Sequence, residues 1–229
     1  MVGDAIMLIY HGSKDIIRKP IYGKGNKNND YGIGFYCTLN IELAKEWACS
    51  SINVNGFANI YEIDLNKFKV LDLRKEEYSI LNWLAILLKH REFDINNPIS
   101  NETKRYIIDN FYINIDDYDI IIGYRADDSY FSYARDFINN TISIEQLSKA
   151  MMLGELGIQI VLKSVKAFNS IIFNGYEDAE SKIYYTKRLV RDMHARDKYF
   201  NELKINTSYN SSYVIDIIRK GYKHGDKIV

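Results

Sequence analysis

Two short segments carry the residue types that could do chemistry: Tyr10-His11-Gly12-Ser13, and the glycine-spaced run from Tyr31 to Thr38. An imidazole that directly follows a strand can hydrogen-bond a ligand at the edge of a pocket, and a glycine beside it lets the ligand approach the backbone closely. Tyr36 and Trp47 lie eleven residues apart, so their rings could enclose a flat, uncharged heterocycle. This combination predicts a nucleotide-binding site.

Each of these side chains also has a purely structural interpretation, which the spacing leaves open. Side chains alternate along a strand, so Tyr36 shares one face with Thr38. Phe35 and Cys37 share the other face, and one of the two faces should pack in the core. Trp47 lies on the apolar face of a predicted helix, and the histidine is compatible with a polar residue at a strand end. Spacing alone therefore favours core positions for the two aromatic rings.

The composition limits the range of functions. The chain has 229 residues, 47% of them hydrophobic, which is enough for one substantial domain with a full core. Thirty basic and thirty acidic residues give a formal net charge of zero, so no long-range attraction to nucleic acid or to an anionic membrane is expected. Two cysteines, Cys37 and Cys49, without a histidine cluster predict no metal site. The sequence shows no signal-peptide pattern and no apolar stretch long enough to span a membrane. Together with the two cysteines, this favours a cytoplasmic protein with reduced thiols.

The apolar periodicity predicts the elements that position these segments. Strands are expected over residues 7–10, 35–38, 58–65, 69–73, 119–123, 158–163 and 170–173, and helices over 41–50, 76–91, 101–111, 127–139, 143–152 and 177–200. Asn40 is predicted to cap the first helix, and residues 14–34 form a long polar loop of the kind that is often functional. Because strands and helices do not alternate regularly, we predict an α+β fold. Residues 1–204 are expected to form a single domain, followed by a partly mobile polar tail over 205–229.

The two segments resemble the first two motifs of the diphtheria-toxin and poly(ADP-ribose) polymerase branch of the ADP-ribosyltransferases. In that branch a His-Gly-Ser/Thr strand is followed by a Gly-x-Gly-Ile/Phe-Tyr strand. A longer pattern, over about residues 7–175, resembles a bacterial ADP-ribosyltransferase-like family catalogued as a domain of unknown function. Its further pieces are Asp30 to Thr38 with Ala44 and Trp47-Ala48, Asp119 to Gly123 with Ala126-Asp127-Asp128, and Gln159-Ile160.

The resemblance implies a split β-sheet fold and NAD as the substrate, with no metal. It implies a catalytic set of three residues. His11 would bond a ribose hydroxyl, Tyr36 would stack on nicotinamide, and Gln159 would take the place of the usual glutamate. The cofactor-binding residues that it implies are Gly12, whose backbone would bind the carboxamide, Ser13 near the adenosine ribose, Thr38, and Trp47 as the second aromatic wall.

This sequence departs from the family pattern at two positions. Ala44 stands where the polymerases have a serine that bonds the carboxamide, so that contact is absent. Gln159 is neutral, and an amide stabilises an oxocarbenium-like transition state less than a carboxylate does, because it lacks the opposite charge. We therefore expect mono-ADP-ribosyl transfer rather than chain elongation.

Three further carboxylates, Asp127, Asp128 and Glu155, are candidates for acceptor orientation or acid/base catalysis. The two aspartates begin a predicted helix, where the helix dipole alone would favour acidic residues. Glu155 lies near Gln159 in a glycine-flanked loop and could supply the charge that the amide lacks. Arg91 ends a predicted helix and is interpreted as a charge that suits a helix C-terminus.

From the resemblance we expect an NAD-dependent mono-ADP-ribosyltransferase that releases nicotinamide and modifies a macromolecular acceptor, either a protein or a nucleic acid. A toxin or defence effector is the role that fold-level analogy suggests, with an antitoxin protein as a partner and no membrane. A catalytically silent module that binds NAD or ADP-ribose is the alternative, and the neutral Gln159 favours it. An RNA-processing transferase is a third interpretation, which would need a basic channel and is disfavoured by the zero net charge.

Overall fold

A computed structural model of the chain describes residues 6–93, 98–126, 128–153, 157–204 and 211–228. Within these residues the strands are β1 (Ile6–Ser13), β2 (Phe35–Thr38), β3 (Gly56–Asp64), β4 (Val70–Asp72), β5 (Ile120–Tyr124), β6 (Ile158–Leu162) and β7 (Ile172–Ala179). The helices are α1 (Ile41–Ala48), α2 (Ile80–His90), α3 (Pro98–Phe111), α4 (Asp128–Ile138), α5 (Ile144–Leu153), α6 (Val165–Ser170), α7 (Ser181–Lys204) and α8 (Val214–Lys220).

The seven described strands form one sheet in the order β4-β5-β6-β2-β1-β3-β7, and every neighbouring pair is antiparallel except β4 with β5. Strand β1 pairs with β3 from Ile6 to Ser13, and β2 pairs with β6 along its whole length. Strands β1 and β2 share one register pair, Tyr10 with Thr38. The sheet is therefore split into two halves at this junction, and the predicted α+β class is confirmed.

Apolar residues cover both faces of the sheet. The larger core surrounds α2, in which every residue from Ile80 to Leu88 is buried, and it includes side chains from α3, α4, α5 and α8. A smaller core lies on the other face, around Phe168 of α6. The predicted alternation along β2 is confirmed, because Phe35 and Cys37 lie in the smaller core whereas Tyr36 packs against the larger one.

Local hydrogen bonds explain where two helices begin. Asn40 caps α1 as predicted: its Oδ1 accepts hydrogen bonds from the backbone N–H groups of Glu42 at 2.9 Å and Leu43 at 3.4 Å. Ser143 and Gln146 form a capping box at the start of α5, with N–H to side-chain distances of 3.0 and 3.3 Å. These caps determine where α1 and α5 begin.

Several elements differ from the sequence-based prediction, among them β1, which continues to Ser13 instead of ending at residue 10, and α8, which was not predicted. Helix α2 begins at Ile80 rather than at residue 76, and residues 165–170 form a helix, α6, that was not predicted. Strand β7 continues to Ala179, into the segment predicted as the start of the long helix. It pairs with residues 56–62 of β3, so the hydrogen bonds of the ladder outweigh a composition that is compatible with a helix.

The described part of the tail packs on the larger core. Helix α8 contributes Val214 and Ile217, both at most 1% exposed. Tyr106 of α3 donates its hydroxyl proton to the carbonyl of Tyr222 at 2.8 Å. Residues 211–228 thus belong to the same hydrophobic unit as the helices that precede them. Across the described ranges, no helix combines the length and the apolar character that a membrane crossing requires.

Candidate functional site

A cavity of about 670 Å³ is lined by residues from both halves of the split sheet. Strand β1 contributes His11 and Gly12, β2 contributes Tyr36, α1 contributes Trp47 and β6 contributes Gln159. The volume lies within the range of about 300 to 1,000 Å³ that small-molecule sites span. Five residues that the sequence pattern singled out therefore converge on one cavity.

The His11 side chain joins the two half-sheets. Its Nδ1 lies 2.7 Å from the carbonyl oxygen of Tyr36, and because a carbonyl can only accept, Nδ1 carries the proton. In the neutral ring Nε2 is then a hydrogen-bond acceptor. Burial lowers the pKa of His11 below its usual value, outweighing the opposite effect of the bond to Tyr36, and the ring stacks on Phe35 at a centroid distance of 4.2 Å. The cavity thus holds a neutral imidazole suited to accept a hydrogen bond from a ligand hydroxyl.

Gly12 is required by the packing of α1 on β1. A Cβ atom at this position would lie 1.9 Å from the carbonyl oxygen of Ala44 and 2.8 Å from the backbone nitrogen of Ala48. Any side chain here would push α1, which carries Trp47, away from the sheet. The sequence pattern suggested that the glycine makes room for a ligand. The structure shows that the packing of α1 is a second reason why residue 12 must be small. Contact between the Gly12 backbone and a ligand stays a prediction.

The Tyr36 hydroxyl holds the glycine-spaced loop while its ring lines the cavity. The hydroxyl donates to the carbonyl of Gly32 at 2.6 Å and accepts from the N–H of Tyr31 at 3.0 Å. Burial raises the pKa of Tyr36 far above its usual value, so the phenol stays protonated. The ring is therefore a fixed, uncharged aromatic surface.

The two glycines before Tyr36 allow the loop to lie close to β6. Gly32 adopts a φ of +68°, which favours glycine, and a Cβ on Gly34 would lie 2.6 Å from a side-chain carbon of Val161. The Lys163 ammonium donates to the carbonyls of residues 31 and 33 at 2.8 and 2.7 Å. Loop and strand β6 are thereby joined beside the cavity.

Gln159 lines the cavity, and the oxygen of its side-chain amide is buried. The residue is 5% exposed, and its Nε2 donates to Oδ2 of Asp30 at 3.4 Å. Its Oε1 is buried and has no hydrogen-bond partner within the described residues. Asp30 itself is 4% exposed, accepts from the N–H of Ala126 at 2.9 Å, and lies 3.7 Å from Nε of Arg91. Buried polar atoms are normally paired, so the unpaired Gln159 oxygen is a candidate acceptor for a ligand hydroxyl.

Trp47 lines the cavity, but one face of its ring is already covered. The Arg125 guanidinium lies 4.0 Å from the ring centroid, in a cation–π contact. The indole Nε1 is buried and has no partner within the described part of the chain. The role of Trp47 as a second aromatic wall stays a prediction, and Arg125 leaves one face of the ring for it.

Ser13 and Thr38 are not among the residues that line the cavity. The Ser13 hydroxyl donates to the carbonyl of Asp15 and accepts from Nδ2 of Asn59 at 3.0 Å. The Thr38 hydroxyl accepts from the N–H of Asn40 at 3.2 Å. Both hydroxyls stabilise local turns, so the geometry does not support the cofactor-binding roles predicted for them.

Two of the three candidate carboxylates, Asp127 and Glu155, lie outside the described residues. Asp128 is the first residue of α4. That position agrees with the helix-dipole interpretation of this acidic residue. Roles for all three in catalysis stay predictions.

None of the seven charged residues that line the cavity was recognised as a site residue from the sequence, and three of them, Asp30, Arg91 and Arg125, contact other residues of the site. Arg91 does end α2, and its N–H bonds the carbonyl of Leu87 at 2.8 Å, but its guanidinium also pairs with Asp30. Asp30 is the first residue of one segment of the longer resemblance and Arg125 directly precedes another, which is a weak signal. Their convergence follows from the sheet topology, which the sequence pattern did not define.

Cationic side chains outnumber carboxylates around the cavity, with Lys19, Lys24, Arg91, Arg125 and Arg188 against Asp15 and Asp30. Because the chain has no net charge, this is a local concentration of positive charge. It favours a ligand with phosphate or other anionic groups. The described residues contain no group of three or more side chains suited to hold a metal ion.

Comparisons with known proteins place the chain in a family without indicating its chemistry. A family model described as "Protein of unknown function (DUF3990)" matches residues 7–173, a range that includes His11, Tyr36 and Gln159. A search of curated proteins and a search of solved structures found no match. Because the family model matches well over half of the 229 residues, the chain belongs to the DUF3990 family.

Proposed function

We propose that this protein is an NAD-dependent mono-ADP-ribosyltransferase. The observation that carries the proposal is the convergence of His11, Gly12, Tyr36, Trp47 and Gln159 on one cavity. The motif resemblance assigns NAD contacts to these same residues from the sequence alone. The surplus of cationic groups around the cavity adds support, because NAD carries a pyrophosphate.

In the proposed complex the nicotinamide ring stacks on Tyr36, whose orientation is fixed by its hydroxyl. A ribose hydroxyl donates to Nε2 of His11, which is an acceptor in the tautomer that the contact of Nδ1 with the Tyr36 carbonyl requires. Arg125 covers Trp47, so we assign this pair to the pyrophosphate rather than to a second wall around nicotinamide. A guanidinium held against an indole is well placed for bidentate contact with phosphate oxygens.

The reaction needs one bond broken and one bond formed. The bond between C1′ of the ribose and the nicotinamide nitrogen breaks, and its electron pair stays on the nitrogen, so neutral nicotinamide leaves. The acceptor nucleophile then adds to C1′ of the oxocarbenium ion, and its proton passes to solvent. Gln159 acts on the ribose: its unsatisfied Oε1 accepts a hydrogen bond from a hydroxyl and places partial negative charge near the developing cation.

The proposal includes a biological setting taken from the resemblance. We place the protein in the bacterial cytoplasm as a toxin or defence effector, with a macromolecular acceptor and an antitoxin protein as partners. The two cysteines, Cys37 and Cys49, are free and buried, which agrees with a reducing compartment.

The test uses NAD labelled in the nicotinamide ring and, separately, in the adenylate phosphate. We expect the purified protein to release nicotinamide and, in a cell extract, to transfer the phosphate label to a macromolecular fraction. His11→Ala and Tyr36→Ala should abolish both signals. Asp109→Asn, an exposed position on α3, should retain them.

Direct binding separates the alternatives. Calorimetric titration with NAD and with ADP-ribose should show binding that His11→Ala weakens. Binding without turnover under any condition would support a catalytically silent module, which the neutral Gln159 favours. If neither NAD nor ADP-ribose binds, the proposal is wrong in both forms.

A further inference from the structure

Asp30 is buried beside the cavity and contacts Gln159, whose side-chain oxygen has no hydrogen-bond partner among the described residues. We propose that Asp30 is a positioning residue that acts through Gln159: its carboxylate holds the Gln159 amide with Oε1 toward the ligand and polarises it. The pair then replaces the glutamate that the resemblance would lead one to expect. This inference rests on the proposed function, because the ligand group it acts on is the NAD ribose.

The fold brings Asp30 to Gln159 by a definite route. Tyr31, the next residue, is fully buried, and its hydroxyl donates to the carbonyl of Tyr124 at 2.7 Å. Strand β5 has room for this hydroxyl only because residue 123 is glycine: a Cβ there would lie 2.3 Å from it. Gly123 is also the register partner of Gln159 on β6. Anchoring Tyr31 on β5 therefore places Asp30 beside the neighbouring strand.

The contact determines which way the Gln159 amide points. Of its two polar ends, only the NH₂ group can donate to a carboxylate, so Nε2 must face Asp30. The reverse orientation would set an amide oxygen against a carboxylate oxygen in a buried environment, which is strongly unfavourable. The oxygen consequently lies on the opposite side, buried and unsatisfied in the ligand-free protein.

Asp30 also provides a negative charge where Gln159 has none. Hydrogen bonds in a low-dielectric interior polarise one another, so donation from Nε2 to a carboxylate increases the negative character of Oε1. Arg91 and the N–H of Ala126 stabilise the buried carboxylate. The sequence interpretation looked to Glu155 for this charge, whereas Asp30 already contacts the amide.

Asp30 also ties the long loop to the start of α4 through Ala126, so loss of function on its removal would not by itself establish the proposal. The decisive tests must therefore report on the link between Asp30 and Gln159. Two measurements do so, one without ligand and one with NAD.

The ligand-free measurement is the NMR signal of the Gln159 side-chain amide in the wild-type protein. The two NH₂ protons of a fixed, buried amide should exchange slowly with solvent, and their resonances are assigned by comparison with Gln159→Leu. In Asp30→Asn these resonances should shift and exchange faster. A wild-type amide that exchanges as fast as that of an exposed glutamine would overturn the proposal without reference to NAD.

The measurement with NAD compares the affinity of variants in which the carboxylate of Asp30 and the amide of Gln159 are exchanged. Asp30→Asn should weaken NAD binding by about tenfold to hundredfold, as expected for loss of a hydrogen bond to a charged group. Gln159→Glu alone places two carboxylates side by side and should also weaken binding. The double variant Asp30→Asn with Gln159→Glu restores one amide and one carboxylate, and its affinity should return to within about threefold of wild type.

A matched control separates this link from a general effect of charge. Asp15 also lines the cavity but makes no contact with Gln159 among the described interactions. Asp15→Asn removes the same charge and should tighten binding of the anionic NAD slightly. If Asp15→Asn weakens binding as much as Asp30→Asn, the proposal is overturned.

The outcomes distinguish the inference from the proposed function. Wild type that binds NAD, with a double variant no better than Asp30→Asn, overturns the inference and leaves the function intact. Wild type that binds neither NAD nor ADP-ribose overturns the function and the ribose contact, while the amide spectrum still decides whether Asp30 holds Gln159. Rescue by the double variant, together with the protected amide, establishes the positioning role.

Discussion

Replacing Gly12 with alanine tests the packing of α1 on β1, on which the cavity wall depends. The added Cβ would lie 1.9 Å from the carbonyl oxygen of Ala44, where ordinary contact begins at 3.4 Å. Strand and helix would have to separate locally by roughly 1.5 Å. The opposing atoms belong to the helix backbone, so no side-chain rotation can relieve the clash.

The loss of stability in Gly12→Ala depends on which atoms must move. Overpacking a well-packed core costs about 1–3 kcal/mol, and a clash with backbone atoms belongs at the upper end. For a chain of this size 1 kcal/mol corresponds to about 2–4 °C, so the midpoint of thermal unfolding should fall by about 6–12 °C. Trp47 moves with α1, so NAD affinity should fall as well.

The control is Gly23→Ala, in the long loop. Gly23 adopts a φ of +81° and no heavy atom lies within 4 Å of a Cβ built there, so alanine meets conformational strain but no clash. That strain amounts to about 1–2 kcal/mol. Thermal unfolding followed by circular dichroism compares the two variants. If Gly12→Ala unfolds no earlier than Gly23→Ala, the packing argument is refuted.

Three further outcomes can be checked with single variants. Tyr36→Phe leaves the carbonyl of Gly32 without its donor and should lower the free energy of unfolding by about 1–3 kcal/mol in urea titrations, while NAD affinity changes little because the ring remains; a large loss of affinity at unchanged stability would contradict this. Burial lowers the pKa of folded His11 below 6.5, so stability present above that pH is lost as the pH falls through the lowered pKa. His11→Gln should make the fall in the free energy of unfolding between pH 7.5 and 5.5, measured by urea titration, shallower by up to about 1.4 kcal/mol per pH unit. An unchanged slope would show that His11 does not titrate there. Lys163→Met removes both hydrogen bonds to the loop carbonyls and should speed proteolysis within residues 14–34; cleavage at the wild-type rate would show that the lysine does not hold the loop.

Local chemistry made much of the fold predictable. Strand β2 was predicted with its observed bounds, because two glycines precede it and Asn40 follows it with a helix cap. Strand β7 was truncated in the prediction, since its residues look polar and gain their strand conformation from pairing with β3. Information of that kind lies in the partner strand and not in the segment itself.

The candidate site also contains residues that local sequence patterns reveal and residues that only the sheet order brings together. His11, Tyr36 and Gln159 lie in recognisable local patterns and were identified from them. Asp30 was missed as a site residue because a single aspartate in a polar loop has no periodicity or cap to distinguish it. Its importance depends on three separate chain segments meeting, which requires the sheet order to be known. Ser13 shows the opposite error. It was predicted as a site residue because it matches the motif, but its hydroxyl is used in hydrogen bonds within a local turn.

The strand order has a consequence for how the protein is made. Strand β2 has one register pair with β1, and its other partner is β6, which ends at Leu162. A chain still emerging from the ribosome therefore holds β2 almost unpaired until residues 158–162 have been synthesised. The same late strand carries Gln159, so the central sheet cannot be completed before this strand has been synthesised. Arg188 also lines the cavity, so the complete cavity can form only after about four fifths of the 229 residues have been synthesised.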